Sequence, residues 1–419
     1  MSSEFELNLE KYVDVILKVG LNLQKGQRLL IIPFLFGNNL IELAPFIELI
    51  AKKAYQKGAR FVEVIWDDPQ MDLIRLKYAP RDSFEEFSVW KSNAKLEFAE
   101  KGDAVLGFVI QNPDLFADQD PELMKIMMQT YLKHNKKVSN LALSRAFNWT
   151  YISAPSEGWT NKIFPDLPPD NQNTKMWDVI FDICRIKQKD PISAWKNHIE
   201  QLQARVNYLN DKQYETLRLD APGTDLTIGL PKGHIWHTAG VKSQNGISYV
   251  LNLPTEEIYT TPHKDKTEGV ITMTKPLFYS GPLIEDIKLT FSKGKTVELN
   301  AGKGKEFLEN IIKTDEGANR LGEVALVPHS SPISQTELIF YNGLIDENAS
   351  CHIALGKGFK FCLENGDKMS DEEFRAAGGN NSLVHIDCMV GSGEMNIDGI
   401  TSNGTVEPIM RNGEWAFDV

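Results

Sequence analysis

The chain is predicted to combine an α/β N-terminal domain, a mostly parallel sheet with flanking helices, with a β-rich α+β C-terminal domain. Three observations predict this. Short apolar runs alternate with helical patterns as far as about residue 210. Beyond that point strand-like runs separated by Gly, Pro and Asp turns take over. The 419 residues also make a length that usually divides into two domains of about 100–200 residues each. The expected division is 1–210 and 211–419.

The elements follow in order. Arg28-Leu-Leu-Ile-Ile-Pro and residues 60–66, 104–110 and 138–143 are short and apolar, as buried strands are. Residues 41–57, 80–102 and 121–134 place their apolar side chains at helical spacing. Strands alternating with helices imply right-handed crossovers and a parallel sheet covered on both faces. Residues 148–174 are rich in Pro, Asn and Asp, keep no apolar period and read as an irregular connection. Asp190 before Pro191 then marks a helix start, a cap followed by a first-turn proline. Trp195, Ile199, Leu202, Val206 and Leu209 step along one face of it. Residues 216–219, 226–230, 269–273, 287–291 and 296–299 supply the strands of a mainly antiparallel second half.

Composition excludes several classes. With 45 Lys+Arg against 57 Asp+Glu the formal charge is −12, wrong for a protein that must displace counterions from nucleic-acid phosphates. The strongest apolar run, residues 29–36, is too short to span a bilayer and contains Pro33, so no membrane partner is expected. The first residues are acidic and lack the basic and apolar blocks of a signal peptide. Cys184, Cys351, Cys362 and Cys388 are scattered without a Cys-x-x-Cys pair, which fits a reduced, cytoplasmic protein. Phosphate-cradling and dinucleotide-binding glycine patterns, Gly-x-Ser-x-Gly and His-Glu-x-x-His are all missing. The α/β half therefore carries no recognised chemistry.

The β-rich half does. Six of the eight histidines lie after residue 230, and four segments set His, Asp or Glu among apolar residues, where an ionised group is costly. In Asn252-Leu-Pro-Thr-Glu-Glu, the adjacent Glu256 and Glu257 point to opposite faces of an extended chain, so at most one enters a given site. Glu323 opens an apolar strand in Arg320-Leu-Gly-Glu-Val-Ala, a ligand position or an exposed strand start. Asp346 and Glu347 lie upstream of His352 in an apolar, small-residue setting. In Leu383-Val-His-Ile-Asp-Cys, His385 and Asp387 are two apart and share one face of a strand while Val384, Ile386 and Cys388 face the other way. A simple His–Asp hydrogen bond is nearly as good a reading of that pair as a metal site. His234-Ile-Trp-His237 lacks a glutamate and reads as structural. Three carboxylates and two imidazoles together suit two divalent ions such as zinc, cobalt or manganese, which lower the pKa of water and polarise a carbonyl.

These segments, together with Asn8-Leu-Glu-Lys-Tyr and Asp346-Glu-Asn-Ala-Ser-Cys-His-Ile-Ala-Leu-Gly, resemble the family of aminopeptidase T, aminopeptidase S and PepS, dinuclear metallo-exopeptidases. They occur in family order along almost the whole chain. The resemblance implies a β-rich catalytic domain, a homodimer enclosing the active sites, and removal of N-terminal residues from peptides with broad preference. It implies Glu257, Glu323, His352, His385 and Asp387 as ligands to two metal ions, with Glu323 as the bridge. Glu347 matches an acid that is a further ligand or lies behind the ligands, and Glu256 or Glu347 would carry a proton to the leaving amine. One departure stands out: the family has Tyr where this chain has Phe359. A catalytically weakened peptide-binding homologue, or a metallohydrolase acting on another amide, are the alternatives.

Overall fold

The computed structural model describes residues 3–110, 112–277 and 283–419. It divides into two units: Met1–Asn197 with Gly240–Pro254, and His198–Ala239 with Thr255–Val419.

The first unit is built on a five-stranded sheet in the order Asn252–Leu253, Trp149–Ile152, Ala104–Phe108, Arg28–Pro33, Phe61–Val64. Every pairing in it is parallel. The strands Arg28–Pro33 and Ala104–Phe108 are almost continuously buried, the pattern of a sheet covered on both faces. On one face Leu30, Ile32 and Val105 pack with Phe98 and Phe147. Elsewhere in the unit an aromatic group of Tyr12, Phe46, Trp177 and Phe181 packs edge-to-face and stacked. The expected parallel α/β layer is the one observed.

Two elements differ from the sequence expectation. Residues 138–143 are not a strand: the helix begun at Pro121 runs on to Leu143, and Leu141 and Ala142 pack against the Phe98 and Phe147 cluster from it. The fourth strand is instead Trp149–Ile152, inside the stretch expected to be irregular, which also holds the helix Glu157–Ile163 and the start of the helix Pro169–Ile183. Polar, turn-rich flanks hid a strand of only four residues. The passage between the units also differs from a boundary at 210. It falls within the helix Pro191–Lys212, and residues 240–254 return to the first unit to add the edge strand Asn252–Leu253.

The second unit contains two antiparallel sheets. An eight-stranded sheet carries Leu217, Leu219, Leu226, Ile228, Leu289 and Ile397 on one face. A five-stranded sheet runs in the order His385–Met389, His352–Gly356, Leu321–Leu326, Ile258–Thr260, His237–Thr238. Val324, Leu326, Ile353, Leu355, Ile386 and Cys388 from this sheet join the same core. Because side chains alternate along a strand, burying these residues turns Glu323, His352, His385 and Asp387 to the opposite face.

Candidate metal centre

Register brings these residues together. Glu323 lies opposite Ala354, and Ala354 opposite Asp387, so two carboxylates flank an alanine across three strands. His385 pairs with Gly356 and His352 with Ala325. The residues between the polar ones are small (Ala325, Ala354, Gly356), which leaves room above the sheet. Glu257 stands just before the strand Ile258–Thr260 and completes the group from its neighbouring position.

The ligand atoms of Glu257, Glu323 and His352 lie within 4.8 Å of one another, and so do those of Glu323, His385 and Asp387. Glu323 belongs to both sets. His352 Nε2 is 3.4 Å from Glu257 Oε2; His385 Nε2 is 3.1 Å from Glu323 Oε2 and 3.2 Å from Asp387 Oδ1. A tetrahedral ion with bonds of about 2.0–2.1 Å holds its donors roughly 3.3 Å apart. These separations suit one.

The imidazoles test the fit further. His352 Nδ1 lies 3.2 Å from the Ser350 carbonyl oxygen, and His385 Nδ1 lies 2.7 Å from that of Lys357. A carbonyl only accepts, so each Nδ1 must carry the proton, and a neutral ring then aims its Nε2 lone pair at carboxylate oxygens. That is repulsive unless a proton or a cation lies between. Carbonyl-anchored histidines of this kind are typical metal ligands.

The charges point the same way. Burial opposes a charge on His352, but the bond to Glu257 and the charges of Asp387 and Glu323 lift it to about 10. His385 is raised well above the ordinary value against the same burial, by Asp387 and Glu323. Burial raises Glu323, with help from Glu257 and Asp387, against His385. Burial also raises Glu347 well above the carboxylate range, followed by the charges of Glu257 and Asp387. Asp387 is lowered: burial resists, and the two imidazoles prevail. Four acids facing two imidazoles make a region of negative charge suited to divalent cations.

The first acid of each adjacent pair has a different setting. Glu256 is 3 % exposed, and its carboxylate Oε2 lies 3.5 Å from His198 Nε2, which is also 2.8 Å from the Thr255 carbonyl. His198 was not singled out by sequence reasoning. It sits one residue before Ile199 on the apolar face of its helix, and nothing local marks it as a partner of residues more than fifty positions away. Asp346 accepts the amides of Phe340 and Asn342 at 2.8 and 2.9 Å, so it caps a turn. His234 and His237 bond to the carbonyls of Pro231 and Phe361. Phe359 stacks on Phe361 and lies 5.1 Å, ring to ring, from His385.

Comparison with known proteins decides the lineage. Residues 5–415 match the model of a family described as thermophilic metalloprotease (M29). The chain belongs to this family. Aminopeptidase 2 of Geobacillus stearothermophilus is 43% identical over 100% of both chains, and aminopeptidase AmpS of Bacillus subtilis is 41% identical over 99% of both. Among solved structures, wild-type AmpT from Thermus thermophilus superimposes with a TM-score of 0.92 at 37% identity, covering 99% of this chain and 100% of that one. The protein is thus a metallopeptidase that works with divalent metal on peptides. No helix among the described residues is long and apolar enough to cross a membrane.

Proposed function

We propose that the protein is a metal-dependent aminopeptidase that removes N-terminal residues of broad character from peptides, using two divalent ions, Zn2+, Co2+ or Mn2+. The observation that carries this reading is the sharing of Glu323 between two three-residue ligand sets. Glu257 and His352 would hold one ion, His385 and Asp387 the other, and Glu323 would bridge them. Bound there, the ions lower the pKa of water and polarise the scissile carbonyl. The names of the relatives as aminopeptidases support an exopeptidase. The Ser350 and Lys357 carbonyls keep the two imidazoles in one tautomer with Nε2 toward the carboxylates. Glu347, lying in the field of the ligand acids, carries a proton at its carboxyl group to the leaving amine; Glu256, beside His198, is the other candidate for that role. A homodimer whose cavity admits only chain ends would enforce the exopeptidase preference. Buried free cysteines suit a cytoplasmic setting.

One observation favours a second reading. Phe359 beside His385 has no hydroxyl to donate to a tetrahedral oxyanion, and losing such a donor costs about 10²–10³-fold in rate. A peptide-binding homologue with reduced turnover would follow.

The test is hydrolysis of aminoacyl-p-nitroanilides with added cobalt or zinc, with and without chelator, alongside metal content per chain. Chelator-sensitive release from free but not N-acetylated substrates is expected. His385→Ala should lower both bound metal and rate. Unchanged metal content in that variant would remove the ligand assignment, while full metal content with no turnover in the parent would favour the second reading.

A further inference from the structure

The first unit holds a cavity of about 420 Å³, within the range of small-molecule sites. It opens beyond the carboxyl ends of the strands Arg28–Pro33 and Phe61–Val64, at Pro33 and Ile65, among the helices Pro69–Tyr78, Val89–Glu100 and Pro121–Leu143. Arg28–Pro33 has the next strand in sequence on one side and the third, Ala104–Phe108, on the other. The first crossover runs from it to Phe61–Val64 and the next passes back over it to Ala104–Phe108, and ligands of open parallel sheets bind beyond the carboxyl ends of the strands.

Its polar groups are incompletely partnered. Lys95 is 6 % exposed, and its ammonium donates to the Tyr131 hydroxyl at 3.0 Å. Tyr131 gives its own proton to the Phe34 carbonyl at 2.9 Å, so it only accepts from the lysine. An ammonium has three protons, and among the described residues Lys95 has neither another hydrogen-bond acceptor nor an ion-pair partner. The cations around it are engaged: Lys91 pairs with Asp67 at 3.0 Å, and Arg75 donates to the carbonyls of Ser83 and Glu86 at 2.8 and 3.1 Å. On the acidic side, Asp72 Oδ2 is buried with no hydrogen-bond partner among the described residues. Phe36, Phe84 and Met127 contribute apolar wall.

We propose that this cavity binds a free α-amino acid with an apolar side chain, its carboxylate on Lys95, its ammonium on Asp72 and its side chain among Phe36, Phe84 and Met127. One unsatisfied donor group and one unsatisfied acceptor in a half-apolar pocket ask for a ligand carrying both charges. A phosphate would face Asp67, Asp72 and Glu86 with one cation left to receive it, which disfavours a dianion. Burial, with Lys91 nearby, lowers Lys95 to about 8, and burial with Asp67 raises Asp72 to about 6. Both groups are held back from their charged forms. The proposal rests on the first unit alone and does not depend on the peptidase reading.

The test is ligand-observed NMR and calorimetry on the full-length, metal-loaded protein with L-phenylalanine, N-acetyl-L-phenylalanine and 2-phenylethylamine, which lacks the carboxylate and has no bond to hydrolyse. Saturable binding of phenylalanine is expected, with each analogue weaker by roughly tenfold or more, the effect of losing one charge-assisted bond. Lys95→Met should weaken phenylalanine to the same degree, whereas His385→Ala should leave it unchanged. Should Lys95→Met fail to fold, Asp72→Asn keeps the shape and should bind phenylalanine and its N-acetyl form alike. Equal binding of all three probes, no binding up to about 10 mM, or binding lost in His385→Ala and kept in Lys95→Met would each overturn the proposal.

Discussion

Asn348 holds two segments of the acidic cluster with one amide. It is fully buried; its Oδ1 accepts the Glu256 amide at 2.7 Å, and its Nδ2 donates to the Leu344 carbonyl at 3.1 Å and lies 3.4 Å from Glu347 Oε1. One side chain thus fixes the Glu256–Glu257 peptide beside Glu347. Asn348→Ala strands a buried amide and a carbonyl, which should cost about 1–3 kcal/mol. The expected result is a lower melting temperature and a reduced kcat at unchanged metal content; a variant as stable and as active as the parent would count against the role. At this scale the sequence was legible where period decides. His385 and Asp387 are two apart, so strand geometry alone puts them on one face, and adjacent Glu256 and Glu257 had to diverge. Which glutamate turns toward His352 was not legible, because it depends on register with the distant strand Leu321–Leu326, which in turn pairs with the strand of His352. Nor was His198, whose partners Thr255 and Glu256 become neighbours only in the folded unit.

The elements hold the site through register, and register is held by backbone that tolerates no side chain at one place. Gly356, opposite His385, has φ +104°, and a Cβ there would lie 2.1 Å from the Val384 carbonyl oxygen. An L-residue is strained in that conformation and also collides with backbone that cannot swing away. Gly356→Ala should therefore push the Val384–His385 edge away from the His352–Gly356 strand. The expected outcome is a loss of stability of more than about 1 kcal/mol, with weaker metal retention than a destabilised variant such as Asn348→Ala shows. Metal titration monitored by melting separates the two, and normal retention in Gly356→Ala would show that the edge can shift without the site. The alternation of core and polar residues along these strands made the β-rich half readable. Residues 138–143 were not, since a short apolar run fits a buried strand or the end of a long helix equally well. The difference lies in what Leu141 and Ala142 pack against, and that is tertiary information.

Over the whole molecule, the change from a parallel sheet with helices to antiparallel sheets was legible from the change of texture near residue 210, but the return of residues 240–254 to the first unit was not. A two-residue strand, Asn252–Leu253, has no periodicity to read. The larger consequence is that folding is tied to protons and metal through one buried cluster. An unfolded imidazole titrates at about 6.5, while His352 in the folded protein is raised to about 10. The folded state then keeps a proton that the unfolded chain releases, so this stabilisation is complete below about pH 6.5 and lost as pH rises through about 10. His385, also raised, acts in the same sense, and so do Glu323 and Glu347, whose raised values begin the loss above the ordinary carboxylate range. Asp387, being lowered, contributes stability above its unfolded value that is lost only in acid. Chelator-treated protein should therefore melt progressively lower between roughly pH 6 and pH 9. Metal needs the deprotonated imidazoles, so its affinity rises over the same interval, and it stabilises the folded state by RT ln(1 + [L]/Kd). The rise in melting temperature on adding cobalt or zinc should accordingly be larger at the alkaline end, with protons released on binding. Scanning calorimetry of chelated and loaded protein across this range checks it. A chelated protein whose melting is flat with pH, and a metal increment equally flat, would uncouple these imidazoles from both folding and metal.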